Sequence, residues 1–114
     1  MPIYQYENLN YTDFAGFTRS KSVVFIPISP LEQHGPHLPL GVDAFNARVF
    51  SLKMAEVLEK KYLDWNFILF PTLFAGSDTM THVGTIEVPP QMLRMLLLNY
   101  CKQLIRDGFK TLIA

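Results

Sequence analysis

Ser22-Val23-Val24-Phe25-Ile26-Pro27-Ile28 is apolar at almost every position, without the polar alternation of a strand that has one face in water. Such a run reads as a strand buried on both faces, the mark of a parallel sheet covered by helices on either side. Its carboxyl end leads, through Ser29-Pro30-Leu31, into Glu32-Gln33-His34-Gly35-Pro36-His37-Leu38-Pro39-Leu40-Gly41-Val42-Asp43, which packs two imidazoles and two carboxylates into one short loop. In open α/β sheets ligands bind outside the carboxyl ends of the strands, so these groups stand where a site belongs.

Outward from that loop the pattern alternates. A helix begins at Val42 or Asp43, with Phe45, Val49, Phe50, Met54, Val57 and Leu58 recurring at three- and four-residue steps. Asn46, Arg48, Lys53, Glu56, Glu59 and Lys60 take the opposite face, which suits a crossover helix. Asn66-Phe67-Ile68-Leu69-Phe70-Pro71-Thr72 reads as the next strand, with Pro71 at its end, where a missing N–H costs least. After a glycine-bearing loop, Pro89-Pro90 open a second helix whose stripe is Met92, Leu93, Leu96, Leu97, Tyr100, Leu104 and Ile105; Gly108 sits in the C′ position. Phe109 to Ala114 reads as a third strand. Before the first strand, Thr12-Asp13 reads as the N-cap of a short helix through Phe17. The order βαβαβ predicts an α/β fold: a parallel sheet with right-handed crossovers and helices on both faces, forming one domain over residues 1–114. A buried-type strand flush with the terminus reads as the first portion of a larger domain, incomplete at its C-terminal end.

Composition narrows the function. Ten Lys and Arg balance ten Asp and Glu, and no basic cluster exceeds the pair Lys60-Lys61, so no nucleic-acid or anionic-membrane partner is expected. The single cysteine, Cys101, excludes an intramolecular disulfide and reads as a structural thiol in a helical stripe. Met1 to Glu7 lacks the charged and apolar regions of a secretory leader, and no apolar run is long enough to span a bilayer. The expected setting is cytoplasmic and the expected partner a small molecule or another protein.

Glu32 and His34 are two residues apart, so an extended segment presents both side chains on one side, and Asp43 returns after the turns at Gly35-Pro36, Pro39 and Gly41. Two carboxylates and an imidazole can form half of a two-metal site, where ions about 3.5–4 Å apart activate water and polarise a carbonyl. Mixed N/O ligation suits zinc, manganese or iron better than calcium. Ordinary roles fit the same residues: Glu32 and Asp43 as solvent-facing or helix-capping carboxylates, His34 as a hydrogen-bonded loop histidine. His37 suits a supporting role under the proline-rich turn. The Gln33 amide can orient Glu32 or a substrate, or be a plain loop residue.

The run from Pro27 to Asp43 resembles the signature of the creatininase (creatinine amidohydrolase) family, and the motif is long and specific. The resemblance implies an α/β/α layered fold and two divalent metal ions, zinc or manganese. It further implies hydrolysis of a C–N bond in an amide, cyclic amide or formamide by metal-bound hydroxide. By position Glu32 would bind one metal, His34 the other, and Asp43 would bridge both; these three are the catalytic and metal residues. Gly76 to Ile86 is similar to the family's looser second motif, which places Ser77, His82, Gly84 and Thr85 beside Gln33 and His37 as substrate or supporting residues. His82-Val83 stand where the family has Phe-Pro. Further ligands that the family draws from later sequence are not in this chain, so alone it is expected to hold metal weakly and turn over poorly.

The alternative is a non-catalytic half-domain or subunit acting in assembly, because the apolar strand from Phe109 to Ala114 leaves an edge that invites pairing and hence a homo-oligomer. A phosphate-binding α/β module is disfavoured: the first loop puts bulky residues where backbone amides would approach phosphate.

Overall fold

The computed structural model describes residues 3–114, so Met1 and Pro2 lie outside the described residues. Four strands form an all-parallel sheet in the order β1-β4-β2-β6: β1 Ile3–Gln5, β2 Ser22–Phe25, β4 Asn66–Leu69 and β6 Thr111–Ile113. Three helices connect them: α1 Tyr11–Gly16, α2 Val42–Lys61 and α3 Pro90–Arg106. Parallel neighbours can be joined only by crossovers, and right-handedness decides which face each helix takes. The steps from β1 to β2 and from β4 to β6 run one way across the sheet, and the step from β2 to β4 runs the other way. Accordingly α1 and α3 share one face, and α2 lies on the opposite one.

The core follows the two-residue period of the strands. Val24, Ile26, Ile68 and Phe70 point to one face and join Phe109 and Leu104, with Phe14, Phe17, Tyr100 and Cys101 packed against them. Val23, Phe25, Phe67 and Leu69 point to the other face and pack with Ala55, Leu52 and Leu58. Both faces are therefore dry, as the continuous apolar run requires, and the α/β/α layering is established.

The strands read from sequence are shortened by their own prolines. Hydrogen bonds from Ile26 N–H to the Ile113 carbonyl (2.7 Å) and from Phe70 N–H to the Phe25 carbonyl (2.8 Å) are the last of the main ladder. Pro27 and Pro71 have no N–H to continue it. The chain past each proline forms instead a small second parallel pair, β3 Ile28–Ser29 with β5 Leu73–Phe74. The last strand likewise contracts to Thr111–Ile113, with Phe109 buried beneath the sheet.

Three expectations are corrected. β1 was not anticipated; three residues of alternating character carry no periodicity to read, and only pairing with β4 makes them a strand. The cap of α1 is Asn10 rather than Thr12-Asp13: Asp13 N–H donates to Asn10 Oδ1 and Asn10 N–H to Asp13 Oδ2, a reciprocal capping box. The most deeply buried residues of α2 are Ala44, Ser51 and Ala55, with Leu52 and Leu58 packed beside them; of the expected stripe only Leu58 faces the sheet, while Phe45, Val49, Phe50, Met54 and Val57 are exposed. Arg48, assigned to the outer face, reaches inward to the Phe70 carbonyl and to the Gln5 side chain. Small side chains let this helix lie close to the sheet, and closeness rather than hydrophobic bulk selects its inner face. In α3 the stripe divides as well: Leu104 is buried and Tyr100 packs inward, but Met92 and Ile105 are exposed. No helix among the described residues is long and apolar enough to cross a membrane.

Candidate metal centre

β2 and β4 are adjacent, yet the connections leaving them pass to opposite faces of the sheet. Such a reversal marks the place, beyond the carboxyl ends of the strands, where sheets of this kind bind ligands. One wall is the loop between β3 and α2, and the other is the loop between β5 and α3.

Within the first wall Glu32, His34 and Asp43, all partly buried, each offer a ligand atom, and these atoms lie within 4.8 Å of one another. Asp43 is the second residue of α2, whose N-cap is Gly41, so its carboxylate projects from the positive end of the helix dipole. Asp43 is thus not the cap; its Oδ2 lies 3.3 Å from His34 Nε2. His34 is oriented by its own loop, because Nδ1 lies 2.9 Å from the Glu32 carbonyl oxygen, which can only accept. Nδ1 therefore carries a proton, and Nε2 is the nitrogen that faces Asp43. A carbonyl that fixes the far nitrogen is the usual support of a metal-ligating histidine. The donor set fits a divalent cation: two carboxylates and an imidazole, with His34 the partner of Asp43 among the described ion pairs.

The second wall holds no ligand but fastens the first. Ile86 N–H donates to the Leu31 carbonyl (2.8 Å), and Gln33 N–H donates to Thr85 Oγ1 (3.1 Å). Met80 N–H donates to Glu32 Oε2 (2.6 Å). Gly76 is required by close approach, since a Cβ there would sit 2.3 Å from the Pro30 ring. Gly84 has φ +91°, a left-handed conformation that favours glycine, and it lies against Leu40.

The remaining candidate residues divide. Gln33 spends its side-chain oxygen on Gly35 N–H (3.0 Å) and its amide nitrogen on Met80 Sδ, so it braces the loop. Ser77 Oγ donates to the Val88 carbonyl (2.5 Å), and Thr85 is the acceptor for Gln33. His37 is exposed beside Gly35, and His82 is exposed with its carbonyl accepting from Thr85 N–H; neither belongs to the three-ligand group. Sequence reasoning missed the Met80 amide and the pair Thr79–Glu87. Thr79 N–H and Oγ1 both donate to Glu87 Oε2, which holds the Glu87 carboxyl below its usual range. A backbone donor has no residue type to announce it.

A family model described as Creatininase: Creatinine amidohydrolase matches residues 7–114. Among curated proteins, the mycofactocin precursor peptide peptidase of Mycobacterium ulcerans (strain Agy99) is 35% identical over 83 residues, covering 68% of this chain and 32% of the relative. The chain thus spans about a third of that relative's length. Among solved structures, a mutant creatininase superposes with TM-score 0.81 at 21% identity, over 95% of this chain and 42% of the other. The structure named Creatininase Mn superposes with TM-score 0.75 at 19% identity, over 95% and 42% respectively. At these identities the structural likeness establishes the fold.

Proposed function

The chain belongs to the creatininase family, and from that premise we propose that it carries the ligand-bearing part of a hydrolase site that cleaves a C–N bond in an amide. The observation behind the proposal is the convergence of Glu32, His34 and Asp43 at the carboxyl ends of β2 and β4, with His34 Nδ1 held by the Glu32 carbonyl and Nε2 turned toward Asp43. The proposed cofactor is a pair of divalent ions, zinc or manganese, which Glu32, His34 and Asp43 would help to hold. Such ions supply Lewis acidity to the amide carbonyl and lower the pKa of an attacking water. Glu32 and Asp43 bring two carboxylates together, and Asp43 stands in the first turn of α2, whose dipole favours negative charge there.

The proposed substrate is a small amide, cyclic amide or formamide. A peptide bond is the same chemical class, and the relative named as a peptide peptidase supports including it. The unpaired Cys101 supports a cytoplasmic setting. Elemental analysis of protein purified without chelator tests the reading against the Glu32→Ala/His34→Ala double variant. Bound zinc or manganese that the double variant loses is the expected result, and an equal metal content in both proteins refutes it.

A second reading, assembly as a homo-oligomer, is favoured by the apolar outer face of α2, where Phe50 is 68% and Val57 67% exposed. Sedimentation showing a monomer across a hundredfold concentration range would remove it.

A further inference from the structure

We infer that Glu87 is a positioning residue for Glu32, acting through Thr79 and the Met80 amide; the inference rests on the proposed metal site. A ligating carboxylate must be held by one oxygen if the other is to face an ion in a fixed direction. For Glu32 that hold is the Met80 N–H on Oε2, made across 48 residues of sequence. A backbone N–H cannot be aimed by its own side chain. It is aimed by fixing the peptide before it, and here that peptide belongs to Thr79.

Thr79 is fixed twice by one atom. Its N–H (3.0 Å) and its hydroxyl (2.5 Å) both donate to Glu87 Oε2. Asp78, just before it, has φ +59°, a left-handed conformation uncommon for a residue with a Cβ, so the turn that delivers Thr79 to Glu87 is held against its own preference. Glu87 in turn is anchored on both sides: Ile86 N–H donates to the Leu31 carbonyl, and Val88 N–H donates to the Gly76 carbonyl (2.9 Å). The path therefore closes on itself. It leaves the first loop at Leu31, passes through Ile86, Glu87, Thr79 and Met80, and returns at Glu32, one residue further on.

Glu87 is exposed and lies outside the three-ligand group, which excludes a direct ligand role in this arrangement. Its effect on an ion is indirect, through the direction in which Glu32 points. Removing its carboxylate frees Thr79, lets the Met80 amide turn away, and leaves Glu32 free to rotate.

Cobalt(II) titration followed by visible absorption, on the full chain, tests this with Glu87→Ala and Glu87→Gln. The expected result for Glu87→Ala is a loss of roughly 10–100-fold in cobalt affinity, as for other supports of metal ligands, with an altered band shape. Glu87→Gln keeps an oxygen acceptor for Thr79 and should recover most of the affinity. Hydrogen exchange at the Met80 amide, measured without metal, should quicken in Glu87→Ala and stay near wild type in Glu87→Gln. Should Glu87→Ala not fold, Thr79→Ala, which removes only the hydroxyl donor, is expected to give a smaller change in the same direction. Wild-type cobalt affinity and Met80 protection in the folded Glu87→Ala protein would overturn the inference while the metal site stands. A wild-type chain that binds no cobalt, with Met80 exchange still dependent on Glu87, would instead overturn the metal reading and reduce Glu87 to a loop brace.

Discussion

The two walls of the candidate site do different work with different kinds of group. The wall between β3 and α2 offers three side-chain donors drawn together by its own turns and by the first turn of α2. The wall between β5 and α3 offers none, and holds the first through a peptide N–H on Glu32, a hydroxyl on Gln33 N–H and a bridge between Leu31 and Ile86. The candidate ligands thus stand in one loop and the groups that brace them in another, some fifty residues away in sequence.

The comparison breaks most sharply at a ligand. Asp43→Asn keeps shape and size but removes the charge, and it should lower cobalt affinity beyond the roughly 10–100-fold typical of a supporting residue, with the fold intact by circular dichroism. Retention of wild-type affinity would mean that the first wall is not where metal binds.

A substitution in the second wall should cost stability first. In Gly76→Ala the new methyl meets the Pro30 ring at 2.3–2.8 Å, and that ring cannot rotate away as a flexible side chain would. Overpacking of this kind costs about 1–3 kcal/mol. Urea unfolding measures it, and an unchanged midpoint would show that the walls can part without strain.

A gentler cut is Thr85→Val, which preserves shape and leaves the partly buried Gln33 N–H without its acceptor. An unsatisfied donor of that kind costs about 1 kcal/mol or somewhat more. Thermal melts should register a small drop, and no drop would mean that water replaces the hydroxyl.

The smallest effect is set by pH. Hydrogen bonds from the Thr79 side chain and backbone lower the Glu87 pKa. A carboxyl lowered on folding contributes stability that is complete above its unfolded pKa and is lost as pH falls through the folded one. Protection of the Thr79 amide, its exchange rate measured against the intrinsic rate at each pH, should therefore fall as the solution is acidified through and below the ordinary glutamate range. In Glu87→Gln that acid dependence should vanish.

The same division explains how far the sequence could be read. The doubly buried strands were legible because Val23-Val24-Phe25-Ile26 and Phe67-Ile68-Leu69-Phe70 leave no face for water. The convergence of Glu32, His34 and Asp43 was legible because residue types able to ligate stand at short spacing around turns. Met80 was not, since any residue except proline supplies an N–H, and its partner is 48 positions away. β1 was hidden for a related reason: Ile3, Tyr4 and Gln5 become a strand only against Phe67, Ile68 and Leu69. The inner face of α2 was misassigned because periodicity marks bulk, whereas the sheet accepted Ala44, Ser51 and Ala55 for their smallness.

That inversion of α2 governs how the protein behaves in a tube. A chain with formal net charge 0 and isoelectric point near 6.8 has little electrostatic repulsion between copies at neutral pH. Turning Phe45, Val49, Phe50 and Val57 outward adds a short-range attraction to that missing repulsion. Colloidal stability is lowest where both conditions hold, so handling the protein more than a unit away from its isoelectric point will keep it dispersed.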